Sequence, residues 1–99
     1  MLVIKKSSTF DAWLDGLRDS QAKARILVRI NRLSQGNPGD VAPVGQGVSE
    51  MRIDYGPGYR VYFKQRAGVI ALLLCGGDKS TQAVDIENAK SIAAQWSGT

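Results

Sequence analysis

Glu50, Arg52 and Asp54 alternate with Met51, Ile53 and Tyr55, and after a short turn Arg60, Tyr62 and Lys64 alternate with Tyr59, Val61 and Phe63. This is the period of a half-buried strand, whose successive side chains point to opposite faces. If Met51, Ile53, Val61 and Phe63 face a core, then Glu50, Arg52, Asp54, Arg60, Tyr62 and Lys64 face solvent together. That face carries cations at 52, 60 and 64 and an aromatic hydroxyl at 62. A cationic concave sheet suits a single-stranded phosphate backbone, and the Tyr62 ring offers a surface on which a base can stack. The same spacing also lets Glu50 and Asp54 pair with Arg52, Arg60 or Lys64 across strands, each pair contributing about 0.2–1 kcal/mol. Alternation alone does not choose between the two readings.

Several chemistries are excluded by residue type. The chain has no histidine, so no His-based triad, His base or His-ligated metal can be built. Its one cysteine, Cys75, cannot form a thiolate zinc site, and at the end of an apolar run it reads as a packing residue rather than a nucleophile. Gly76-Gly77-Asp78-Lys79-Ser80 superficially resembles a phosphate loop. It lacks the preceding glycine spacing and has Asp before Lys, so nucleotide binding is discarded.

The elements that must hold the alternating pair follow from periodicity. Leu2-Val3-Ile4 reads as a first strand. A helix follows, with Phe10, Trp13, Leu14 and Leu17 on one face; a Ser8 cap would bring Asp11 to the orphan amides of its first turn. Asp19-Ser20 is a fresh cap for a second helix with the stripe Ala22, Ile26, Leu27, Ile30 and Leu33, stopped by Gly36 and Pro38. Arg25, Arg29 and Arg32 share one face of that helix, off the stripe, as an RNA-binding edge or a solvated surface. Residues 36–47 read as a long loop without periodicity. Tyr55-Gly56-Pro57-Gly58-Tyr59 is a turn, and Val69 to Cys75 form another strand. A last helix begins near Ser80 or Thr81 and carries Val84, Ile86, Ala89, Ile92, Ala93 and Trp96. The predicted order is β-α-α-β-β-β-α, an α+β domain with helices on one face of an antiparallel sheet and the other face open. Lys79, just past the last strand, can lean over that open face.

With 99 residues the chain makes a single domain, 1–99, since two cores this small would not be stable. Thirteen Lys and Arg against nine Asp and Glu give a net charge of +4, an excess that favours polyanionic partners through counterion release. No apolar run approaches the roughly 20 residues that span a bilayer, and residues 1–6 lack a secretory pattern. A lone cysteine fits a reducing compartment, so a cytoplasmic location is expected.

Glu50-Met51-Arg52-Ile53 and Tyr55-Gly56-Pro57-Gly58-Tyr59-Arg60-Val61-Tyr62-Phe63 resemble the central hairpin of RelE/ParE-type toxins. Residues 73–82 (LLCGGDKSTQ), followed by Asp85-Ile86 and Ala89, resemble the HigB-like, phage-derived addiction module killer branch of that superfamily. Trp13-Leu14, Leu17-Arg18 and Gly36-Asn37-Pro38-Gly39-Asp40 extend the likeness over nearly the whole chain. The resemblance implies a RelE-like fold of two N-terminal helices on an antiparallel sheet. It implies a type II toxin neutralised by a helix-turn-helix antitoxin. It further implies metal-independent, cofactor-free cleavage of mRNA on the ribosome, in which the RNA 2′-hydroxyl attacks the neighbouring phosphate.

By the same resemblance Arg60 bears on the scissile phosphate, Lys79 stabilises charge or donates a proton, and Arg52 supplies a further cation. Tyr62 joins them as a catalytic candidate from strand alternation, with Lys64, Arg25, Arg29 and Arg32 as RNA-binding candidates. The chain departs from the pattern where RelE carries a C-terminal tyrosine: Asp85 stands there, and the histidines of other HigB-like members are absent. A ParE-like gyrase poison and a catalytically silent module that binds antitoxin or ribosome are the alternative readings.

Overall fold

Ser7, not Ser8, caps the first helix. Its hydroxyl accepts the Phe10 N–H at 3.0 Å, and helix α1 runs Ser8–Gly16 with Phe10 and Leu14 buried. Asp19 caps α2 (Ser20–Ser34) by accepting the N–H groups of Gln21 and Ala22, as its position predicts. The α2 residues Ala22, Ile26, Ile30 and Leu33 are buried, the expected stripe save for Leu27, which lies exposed.

The computed structural model describes residues 1–96. They form an α+β fold with a five-stranded mixed sheet and three helices. The strands are β1 (Val3–Lys6), β2 (Val41–Gly45), β3 (Val48–Ile53), β4 (Tyr59–Arg66) and β5 (Ile70–Gly77), ordered β1-β5-β4-β3-β2. The sheet is not purely antiparallel, because β1 pairs with β5 in parallel. The expected loop over 36–47 contains β2, so a strand must be added to the predicted order. Pro43 within it faces Ser49 on the sheet edge, where a missing N–H removes no ladder bond. The Gln46-Gly47 turn that returns the chain to β3 has positive φ at both residues, the form that matches strand twist.

Helices α1 and α2 cover one face of the sheet, burying Met51, Ile53, Val61, Phe63 and Leu73. The other face is not open. Helix α3 (Gln82–Gln95), reached through a short 3-10 turn over Lys79–Thr81, lays Ile86, Ala89, Ile92 and Ala93, with Trp96 just past its end, against Val48, Tyr62, Leu72, Leu74 and Cys75. The physical reason lies in β5: Ala71 to Cys75 are all buried, a continuous apolar run that needs cover on both sides. The shift in pairing between Tyr62 and Phe63 leaves Leu74 as an extra residue in β5. Both Leu74 and Cys75 then contribute to the α3 side. Among the described residues no helix is long and apolar enough to cross a membrane.

Candidate functional site

The β3–β4 register sets Arg52 directly opposite Arg60, and Glu50 opposite Tyr62. Two like charges facing each other across a ladder repel. Glu50, two residues before Arg52 on the same face, supplies the compensating charge. Its carboxylate is 1% exposed. Oε1 accepts from Arg52 Nε at 3.1 Å and Arg60 Nη1 at 3.0 Å, while Oε2 accepts from Tyr62 Oη at 3.1 Å and Gln82 Nε2 at 2.7 Å. Burial pushes the Glu50 pKa up, but the hydrogen bonds from Gln82, Arg52 and Tyr62 and the charge of Arg60 outweigh it and hold the carboxyl below its ordinary value. Glu50 is therefore a buried anion with a donor pair on each oxygen.

Above this ion cluster lies an open cleft of about 400 Å³, lined by Arg52, Arg60, Lys79, Tyr59, Asp40 and Asp54 among others. The structure brings together Arg52, Arg60 and Lys79, the three cations among the expected catalytic residues. Arg52 is 44% exposed and also reaches Asp40 Oδ1 at 3.5 Å, whereas Arg60 is only 13% exposed. Lys79 enters from the 3-10 turn after β5. Gly58, at φ +82°, lies close enough that a Cβ there would stand 3.5 Å from the Lys79 Cβ. Three cations line the cleft beside the carboxylates of Asp40 and Asp54, and their N–H donors can hold a phosphate group and stabilise negative charge developing on it.

Tyr62 does not join them at the surface. Its ring is fully buried beneath α3, and its hydroxyl donates to Glu50, so the stacking platform expected from alternation is closed. Burial, first, and then the Glu50 charge raise its phenol pKa well above the ordinary value. Lys64 lies further along β4, opposite Val48, with its side chain against Gly47 and outside the cleft. The expected pairing across strands occurs at Glu50. Among the described residues Asp54 makes no ion pair.

The arginines of α2 line a separate groove of about 680 Å³, which shares Ile53 and Asp54 with the cleft. Arg29 is a clamp: Nη1 donates to the Arg52 carbonyl, and Nη2 to the Pro38 carbonyl at 2.9 Å and the Asp40 carbonyl at 3.3 Å. Arg25 stacks over Tyr55, 4.7 Å from the ring centre, while Tyr55 donates to Asp19 at 3.0 Å. Arg25 and Arg29 are thus engaged within the protein, and Arg32 lines the groove without an ion pair among the described residues.

Residues 12–96 match the family model described as Phage derived protein Gp49-like (DUF891). The chain belongs to the Gp49-like family. This family is related to the RelE/HigB toxin superfamily. An uncharacterized protein of Haemophilus influenzae is 54% identical over 92 residues, which cover 93% of each chain. The matched span of this Gp49-like chain includes every residue of the cleft and of the Glu50 cluster.

Two parts of the site were missed in the sequence. Glu50 was visible as a carboxylate among cations, but nothing marked it as buried, because that depends on α3. Gln82 closes the 73–82 stretch that carries the resemblance, but that stretch gives it no role; it reaches Glu50 because the 3-10 turn folds the start of α3 over the sheet. Asp85, the residue at the tyrosine position of the resemblance, lies in the first turn of α3. Its carboxylate accepts from Thr81 Oγ1, and its carbonyl accepts from Cys75 Sγ at 3.4 Å. It lines neither the cleft nor the α2 groove.

Proposed function

We propose that this Gp49-like protein is a RelE-like toxin of a type II toxin–antitoxin pair that cleaves mRNA on the ribosome and so arrests translation in the cytoplasm. The observation that supports this most is the convergence of Arg52, Arg60 and Lys79 on one open cleft, with a buried anion holding the two arginines. Such a cleft suits the phosphate of a single strand. The 2′-hydroxyl oxygen forms a bond to the adjacent phosphorus as the bond from phosphorus to the 5′ oxygen breaks. The 2′ oxygen loses its proton to solvent water, and another proton reaches the departing 5′ oxygen. Arg60 and Arg52 face the non-bridging oxygens, where charge accumulates, and Lys79 stabilises charge or protonates the leaving oxygen. The mRNA supplies its own nucleophile, and the ribosome supplies alignment. A small helix-turn-helix protein is the proposed antitoxin.

The test is brief induction of the protein, followed by primer extension to map mRNA ends and by gel analysis of plasmid supercoiling in the same cells. New 5′ ends within translated frames, with unchanged supercoiling, are expected. Intact messages with altered supercoiling would overturn the RNA reading in favour of a gyrase poison. Intact messages with unchanged supercoiling would leave a binding module.

A further inference from the structure

We propose that Glu50 is a positioning residue, which fixes the guanidinium groups of Arg52 and Arg60 in the cleft and is itself locked by Gln82 from α3. For its activity readout the inference rests on the function proposed above; for its structural readout it does not.

The geometry favours positioning over simple charge balance. Arg52 and Arg60 stand opposite each other, repel, and carry long flexible side chains. Glu50 Oε1 accepts from both, so one oxygen sets the spacing of the two guanidiniums. Neither arginine has another strong anchor. Arg60 Nε is buried with no partner in the protein, and the other carboxylate near Arg52, that of Asp40, is exposed and at 3.5 Å. The second oxygen of Glu50 is bound by Tyr62 and Gln82, which stops the carboxylate from rotating. The chain from Gln82 to the cleft thus crosses α3, β3 and β4. Donors held in place before the substrate arrives need no reorganisation during reaction, and a misplacement of about 1 Å can cost a hundredfold in rate.

Charge and position predict opposite signs. Glu50 places a negative charge beneath a cleft meant for phosphate, so electrostatics alone makes Glu50→Gln bind RNA more tightly and react at least as fast. Positioning makes Glu50→Gln bind RNA as well or better and react more slowly. Gln82→Ala leaves every charge in place and removes only one of the four bonds to the carboxylate, on a residue at the start of α3. It therefore serves where Glu50→Gln fails to fold.

The experiment uses the full chain as wild type, Glu50→Gln and Gln82→Ala. Three quantities are measured: affinity for a fluorescent single-stranded RNA, the single-turnover rate of mRNA cleavage on programmed ribosomes, and arginine Nε–H signals by NMR. Expected is a slowly exchanging Arg52 Nε–H in the wild type that averages towards solvent in both variants. The expected rate falls at least tenfold in Glu50→Gln and about threefold in Gln82→Ala, with RNA affinity unchanged or tighter. Arginine signals and rates equal to wild type in either folded variant overturn the proposal. So does a parallel loss of affinity and rate, which marks a merely structural role. A wild-type protein that cuts no mRNA on ribosomes overturns the function proposed above; the positioning inference then stands or falls on the NMR arm alone.

Discussion

Gly77 at the end of β5 lies directly under the carboxylate of Asp85, and a Cβ on residue 77 would overlap Asp85 and meet Thr81 Oγ1 at 3.0 Å. Because Gly77 also pairs with Arg60 in the sheet, this close approach seats the first turn of α3 next to the cleft. The methyl group of Gly77→Ala has room only if the Asp85 carboxylate swings aside, giving up its bond from Thr81, or if α3 moves. Overpacking of this kind costs about 1–3 kcal/mol, read as a lower midpoint in urea. Gly16→Ala is the control: nothing lies within 4 Å of a Cβ there, at the last residue of α1. It is expected to be neutral or to stabilise by up to about 1 kcal/mol. Equal effects at the two positions would show that α3 does not depend on the glycine.

Cys75 is buried, and burial, followed by the Asp85 charge, pushes its thiol up to about 12. At pH 8 roughly one thiol in ten thousand is then ionised, so the native protein should not react with a chromogenic disulfide reagent over minutes. One equivalent should react in denaturing urea. Fast labelling of the native protein would mean that α3 opens readily from the sheet.

The hairpin that carries Arg52 and Arg60 was legible because its alternation is strict and its turn is rich in glycine. The α1 and α2 stripes were legible for the same reason of period, and the two faces of β3 follow directly from it. Strand β2 was not, since Val41-Ala42-Pro43-Val44-Gly45 lacks alternation and contains a proline that only an edge tolerates. The place of α3 was the costlier omission. Its buried residues are Ala89 and Ala93, small and weak as a signal, but Leu72 and Leu74 on the opposite face from Leu73 already required a cover. That cover turns Glu50 and Tyr62 from surface groups into a buried pair, which no local pattern reveals.

Glu50 makes stability depend on pH with a definite sign. Its carboxyl is held below the ordinary value of 4.5 in the folded protein, so the folded state binds its proton less readily than the unfolded chain. The stabilisation is present above about pH 4.5 and is lost as pH falls through the lower folded value. Comparing urea midpoints of wild type and Glu50→Gln from pH 6.5 to 3 should show the wild type losing its advantage on acidification. A difference independent of pH would mean that folding leaves the Glu50 carboxyl at its ordinary value, and a wild-type advantage that grows on acidification would mean that the folded carboxyl keeps its proton.

Lys79 gives the cleanest test of the cleft, cleaner than Arg60. Arg60 is mostly buried and bonded to Glu50, so Arg60→Ala removes a partner from a buried carboxylate and is expected to cost about 3–5 kcal/mol of stability. Loss of toxicity in that variant would therefore mix folding with chemistry. Lys79 is exposed, and among the described residues it makes no ion pair. Its replacement by Ala should change stability by about 0.5 kcal/mol or less. If its ammonium stabilises the phosphate as the bond breaks, the loss is about 3 kcal/mol, more than a hundredfold in rate. Lys79→Ala should thus keep the wild-type urea midpoint yet permit growth on induction. Arg25→Ala, which removes the stack on Tyr55 and one cation of the α2 groove, should remain toxic. The reverse pattern, with Lys79→Ala toxic and a folded Arg25→Ala harmless, would move the active surface from the sheet cleft to the α2 groove.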